Sequence, residues 1–229
     1  MRKLDKIILM IVFTLLVGIC ILVTIMYEQK RIIKNVIEVK EEKLVSENIV
    51  FLGDSITEFY DLDKYFDDVY HVQSGRNGDK TYEILDNMYE RVYRYNPSKV
   101  FIMLGINNIV YDNSSAEDVV NDIKEICDKI VERNPYTEIY IESIAPYSNE
   151  WKDNHDNTAH DEEEVNAKVK EANKLLKEYA KEKDYKYIDI YDLLINDEGK
   201  LESKYFKDGL HPNDEGYKII TEKLIKYMK

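Results

Sequence analysis

Ile49-Val50-Phe51-Leu52-Gly53-Asp54-Ser55-Ile56-Thr57 reads as a strand that stops at a glycine and delivers a serine to a loop or helix start. Four large apolar residues in a row leave no polar face, as in a strand covered on both sides of a parallel sheet. The chain downstream repeats the theme. Further strands are expected at 68–72, 99–104, 138–143 and 185–190. Helical periodicity is expected at 81–95, 116–133, 162–183 and 213–227. In the second of these helices, Val119, Val120, Ile123, Ile126, Cys127 and Ile130 recur at helical spacing and form one apolar face. Strands alternating with helices predict an α/β fold with a five-stranded parallel sheet between helical layers. Reactive groups in such sheets collect beyond the carboxyl ends of the strands.

The whole chain has 229 residues, enough for one domain plus accessory segments and for a core that needs no disulfide or metal staple. Its 32 Lys and Arg against 45 Asp and Glu give a formal charge of -13. Such a surface repels phosphate backbones, so no nucleic-acid partner is expected. Cys20 lies in an apolar run and Cys127 in a distant helix, so no disulfide is expected.

Residues 7–27 carry no charged side chain and are mostly Ile, Leu, Val, Met and Phe. At about 1.5 Å per residue in a helix, this run matches a hydrocarbon core of roughly 30 Å. It is read as a single-pass transmembrane anchor, with residues 1–6 cytoplasmic, 28–48 a charged, partly helical stalk, and 49–229 the main domain, outside the cytoplasm. Arg2, Lys3 and Lys6 favour that orientation; Lys30, Arg31 and Lys34 beyond the run oppose it. A cleaved signal would want a shorter apolar region and a small-residue site, and a lipoprotein signal a small residue where Ile19 precedes Cys20. A buried core helix is the remaining alternative.

Ser55 sits at a strand's carboxyl end, where backbone N–H groups can face it and a base can reach it. The plain alternative is that Asp54 and Ser55 only cap the next helix. Near the other end, Asp208-Gly209-Leu210-His211-Pro212 precedes the last helix, and Pro212 suits a first turn. A carboxylate three residues before a histidine can take the ring's Nδ1–H, orienting it to accept a serine proton. The alternative is a surface histidine beside an acid. Two more loops, Ser74-Gly75-Arg76-Asn77-Gly78-Asp79 and Gly105-Ile106-Asn107-Asn108, follow the second and third strands. They could offer a backbone amide at Gly75 and a side-chain donor at Asn107; ordinary turn chemistry is the competing reading.

Taken together, the four pieces resemble the SGNH/GDSL hydrolase family over the stretch from Ile49 to Tyr217, in the family's order. The resemblance implies a flavodoxin-like three-layer α/β/α sandwich with a five-stranded parallel sheet. It implies Ser55, His211 and Asp208 as catalytic residues. It also implies an oxyanion hole from the Ser55 and Gly75 amides and the Asn107 side chain, and no cofactor. Two features depart from the family. Asn108 stands where the third block usually has Asp, and Gln73-Ser74 replace the Asn-Arg that often precedes the second block's glycine. The Gly-x-Ser-x-Gly elbow of another hydrolase group is absent, since Thr57 takes the second glycine's place.

The implied activity is a serine esterase that removes a small acyl group, such as an O-acetyl group on a carbohydrate or envelope glycan. A lipase, lysophospholipase or thioesterase on the same triad is one alternative, and a non-catalytic surface glycan-binding module another. Asp54, Asn108 and Trp151 are carried as substrate contacts; Trp151 either stacks on a sugar ring or anchors its loop. His155 and His160 lie among acidic residues but at no zinc spacing, so no metal site is expected. Asn113-Ser114-Ser115 fits a glycosylation acceptor pattern, and His71 is read as structural. The sequence does not specify an oligomeric state.

Overall fold

A computed structural model describes residues 3–42, 48–155 and 157–228, which form two compact units, Met1–Leu44 and Val45–Lys229.

The first unit is one helix, α1 (Lys3–Glu42). Its stretch Val12–Lys34 is long and apolar enough to cross a membrane, and side chains such as Phe13, Leu16, Ile19 and Leu22 are exposed. The helix continues without a break from the apolar run into the charged segment expected to be a stalk; residues 43–47 of that segment lie outside the described residues.

The second unit alternates strand and helix: β1 (Ile49–Gly53), α2 (Ser55–Glu58), α3 (Leu62–Tyr65), β2 (His71–Gly75), α4 (Thr81–Asp86), α5 (Met88–Arg91), β3 (Lys99–Met103), α6 (Ile106–Asp112), α7 (Ala116–Arg133), β4 (Glu138–Glu142), α8 (Asn149–Asn154), α9 (Glu162–Glu182), β5 (Lys186–Ile188) and α10 (Asp214–Leu224). All strand pairs are parallel, in the order β2-β1-β3-β4-β5. The order reverses at β1, between β2 and β3, which places the ligand crevice of a doubly wound sheet beyond the carboxyl ends of β1 and β3.

Strand alternation sorts the core into two layers. Phe51, Phe101 and Tyr140 are in register on adjacent strands and stack at 5.0 and 4.5 Å between ring centroids. That aromatic row is covered by Phe66 and Tyr60, and Tyr60 stacks in turn on Tyr217 of α10. The opposite face packs under α4, α7 and α9. The apolar stripe of α7 is buried as its spacing predicts, and Ser115 caps the helix by accepting from the Asp118 N–H at 3.1 Å. A cap of this kind stabilises by ~1 kcal/mol.

Two expectations are corrected. The second strand starts three residues later than the apolar Val69-Tyr70 pair suggests, because Asp67 and Asp68 form a turn and β2 is a half-exposed edge strand whose sequence carries little hydrophobic signal. The helix expected over 81–95 is two short helices and a 3₁₀ turn. The side chain of Asn87 donates to the Glu83 carbonyl at 2.8 Å, and the chain breaks there before α5. The break lets α5 present Arg91 to the interior.

Candidate active site

The segment after β1 is both a cap and an approach to the site. Asp54 Oδ1 accepts from the Ile56 N–H at 3.0 Å, capping α2, and Ser55 is its first residue. The capping and nucleophile-position readings of this segment are therefore compatible. Ser55 is 2 % exposed.

His211 arrives from the loop before α10. Asn213 caps that helix by accepting from the Glu215 and Gly216 N–H groups, so the chain turns sharply before it. Gly209 has φ +83°, and a Cβ there would meet Glu150 and the Trp151 backbone, so this turn against α8 calls for glycine. Within the turn Asp208 Oδ1 accepts from the N–H groups of Leu210 (3.0 Å) and His211 (2.8 Å). Its other oxygen, Oδ2, lies 2.9 Å from His211 Nδ1, and His211 Nε2 lies 2.9 Å from Ser55 Oγ. A carboxylate only accepts, so Nδ1 carries the ring proton and Nε2 accepts from the serine hydroxyl. Burial pushes the Asp208 carboxyl up, but the bonds from His211 and Leu210 outweigh it and hold the group below the ordinary carboxylate range.

Aromatic rings wall the imidazole. Phe59, 44 % exposed, meets it edge-on with ring centroids 5.1 Å apart, and Trp151 does so at 5.0 Å. Trp151 is fixed by its Nε1–H donating to the Tyr111 hydroxyl at 2.9 Å and by His155 stacked on its ring. Trp151 thus anchors its loop and borders the site at once.

The expected oxyanion donors divide. Asn107, buried on α6, donates through Nδ2 to the Asp79 carbonyl at 3.0 Å and keeps a second amide hydrogen. The Gly75 N–H is already taken by Gln73 Oε1 at 2.7 Å, and Gln73 Nε2 donates to the Thr57 carbonyl at 2.7 Å. A Cβ at Gly75 would collide with the backbone of Thr57 and Glu58, so this glycine lets β2 lie against α2. Gly78 is different. It has φ +82° in the turn closed by the Asp79 N–H to the Arg76 carbonyl, it faces open space, and it adjoins the residue whose carbonyl holds Asn107. Its position in the same Gly-containing loop was the available signal. Asn108 turns away from the crevice: its Oδ1 accepts from the Thr81 N–H and its Nδ2 donates to the Thr81 hydroxyl, fixing the start of α4.

Arg91, not singled out from sequence, ties this end of the sheet together. It donates to the carbonyls of Gly53 (2.9 Å) and Ser74 (2.5 Å) and pairs with Asp79. Its only trace in the sequence is its place on the apolar stripe with Ile84 and Met88. Asp54 lies in the same buried region. Burial, with the nearby Asp79 charge, pushes its carboxyl up to about 7 against the Ile56 hydrogen bond, and its Oδ2 has no partner.

His155 and His160 do not come together as metal ligands: His155 packs on Trp151, and the His160 N–H donates to the Val110 carbonyl. Among the described residues no group of three or more His, Cys, Asp and Glu could hold a metal ion. His71 bridges the Val69 carbonyl and Asp63. Asn113 closes α6 in the left-handed conformation, with its side chain on Lys168.

The profile of the GDSL-like lipase/acylhydrolase family matches residues 51–219. An N-acylneuraminate cytidylyltransferase of Escherichia coli O18:K1:H7 is 26 % identical over 184 residues, covering 80 % of this chain and 40 % of that protein. The GDSL esterase/lipase WDL1 of Oryza sativa subsp. japonica is 23 % identical over 169 residues, 68 % of this chain and 62 % of its own length. The chain therefore spans less than two thirds of the curated relatives it matches. A Streptococcus pneumoniae structure described as a platelet activating factor superposes with a TM-score of 0.71 at 25 % identity, covering 90 % of this chain and 98 % of the other.

Proposed function

The chain belongs to the GDSL-like lipase/acylhydrolase family, and so to the carboxylic ester hydrolases, and from that premise we propose that Ser55 is its nucleophile in the removal of a small acyl group from a carbohydrate. The observation that carries this is the chain of hydrogen bonds from Asp208 through His211 to Ser55. In the proposed cycle His211 Nε2 takes the proton as Ser55 Oγ attacks the ester carbonyl. The tetrahedral oxyanion is held by the Asn107 side chain, the Ser55 N–H and the Gly78 N–H, the last replacing Gly75, whose amide is engaged by Gln73. His211 returns the proton to the leaving alcohol. Water, deprotonated by the same ring, then releases the acid and restores Ser55, while Asp208 stabilises the imidazolium throughout.

A small acyl group is favoured by the crowding at the nucleophile. Ser55 and Asn107 are both buried, and the rings of Phe59 and Trp151 close on His211. Exposed Phe59 offers a face for a sugar ring, and one relative's name refers to an N-acylneuraminate, itself a sugar. We take residues 7–27 as the anchor, with residues 1–6 inside and 49–229 outside, so that envelope glycans are the nearby esters; Arg2, Lys3 and Lys6 ahead of the apolar run support this orientation.

The test is hydrolysis of p-nitrophenyl esters of increasing chain length by the full chain in lipid nanodiscs. Turnover should be highest on the acetate and fall with chain length. Preference for long acyl chains would replace this reading with a lipase, and no turnover on any ester would leave only a binding module.

A further inference from the structure

One surface of α9 carries a cavity of about 360 Å³, bordered by Lys170, Lys174, Lys177, Tyr187, Tyr191 and two carboxylates, Asp189 and Asp192. The three lysines recur at i, i+4 and i+7, so their side chains share one face of the helix. Among the described residues none of the three forms an ion pair, although the chain as a whole has a formal charge of -13. The three ammonium groups outnumber the two carboxylates of the lining, a local excess of positive charge on an acidic protein.

The remaining lining is suited to a sugar. Asp189 is a hydroxyl acceptor on the rim. Tyr187 presents a ring with the Lys177 ammonium 5.8 Å from its centroid. Tyr191 is buried and its hydroxyl has no hydrogen-bond partner. Lys170 also lines a second cavity, of about 690 Å³, which reaches Asn149 at the start of α8. The residue before it, Ser148, donates its N–H to the Gly209 carbonyl in the loop of Asp208 and His211. The second cavity leads along α9 from the lysines toward the segment that carries Trp151, and its lining includes Glu162, Glu163 and Glu198, so an anionic unit is favoured at the lysine end and a neutral one beyond it.

We propose that this lysine-lined cavity is a subsite for an anionic sugar unit, holding a charged glycan whose ester-bearing unit lies at Ser55. The proposal rests on the esterase reading for its last clause only. The lysines supply charge to the anionic oxygen, and Asp189 and the tyrosines take the hydroxyls and ring face that distinguish a sugar from a simple anion.

Binding of non-ester probes tests it apart from catalysis. The full chain in phosphatidylcholine nanodiscs is titrated calorimetrically at low salt with trigalacturonate, glucose 6-phosphate, maltotriose and citrate. Saturable binding is expected for trigalacturonate, for glucose 6-phosphate or for both, which tells a carboxylate from a phosphate, and at least about tenfold tighter than for maltotriose. The double variant Lys174→Gln, Lys177→Gln should weaken it about tenfold, and the corresponding double change to Arg should retain it. The proposal is overturned if neither anionic sugar binds saturably, if the Gln variant binds as the parent does, or if citrate binds as tightly as the sugars. Because no probe is an ester, a chain that binds trigalacturonate but cleaves no ester would refute the esterase reading and leave this site standing.

Discussion

His211 Nε2 and Ser55 Oγ lie 2.9 Å apart although the residues are 156 positions apart in sequence. Two local devices make that distance: the capped start of α2 holds Ser55 at the end of β1, and the Asp208–His211 turn holds the ring through two backbone bonds and one side-chain bond. The ring is thus oriented before any substrate enters.

Asp208→Asn should leave the fold intact and lower kcat on p-nitrophenyl acetate by about 10⁴-fold, because an amide nitrogen facing Nδ1 favours the tautomer that cannot accept from Ser55. Thermal unfolding alongside the kinetics separates this from loss of fold. A variant with near-parental kcat would remove Asp208 from the mechanism.

Asn107→Ala should lower kcat by about 10²–10³-fold with little change in KM, since the donor acts on charge that develops only in the transition state. Gln73→Ala discriminates between the two glycines. If the Gly78 amide is the backbone donor, freeing the Gly75 N–H leaves kcat near the parental value; a marked rise in kcat would show that Gly75 is the donor and that Gln73 blocks it.

Glu142, 3 % exposed at the end of β4, should make stability fall as pH rises. Burial pushes its carboxyl up to about 8 from an ordinary 4.5, and its Oε2 has no partner. Between those values the unfolded chain is ionised and the folded chain still holds the proton. The folded state therefore binds more protons, and its stability declines across that window and levels off above it. Glu142→Gln should raise the thermal midpoint at pH 8 relative to the parent and change it little at pH 4. An equal effect at both pH values would contradict the assignment.

How much of this was legible beforehand follows from where the signal lay. The run Ile49–Leu52 and the stripe of α7 announced themselves because burial demands apolar side chains at fixed spacing, and both elements formed where expected. That Ser55, His211 and Asp208 come within hydrogen-bonding distance was legible from their residue types and their places beside a strand end and a helix start. Gln73 over the Gly75 amide, and Arg91 beneath Gly53 and Ser74, were not legible, since each is a side chain meeting backbone from another segment. Short α6 forms where a loop is expected from Gly105 to Asn108; its stability comes from burial of Ile106, Ile109 and Val110 rather than propensity.

The most direct measurement is covalent labelling of the full chain with a fluorophosphonate, followed by peptide mapping. The adduct should form on Ser55, and its rate of formation should collapse in His211→Ala. Labelling of another residue, or labelling of Ser55 at an unchanged rate without His211, would contradict the account.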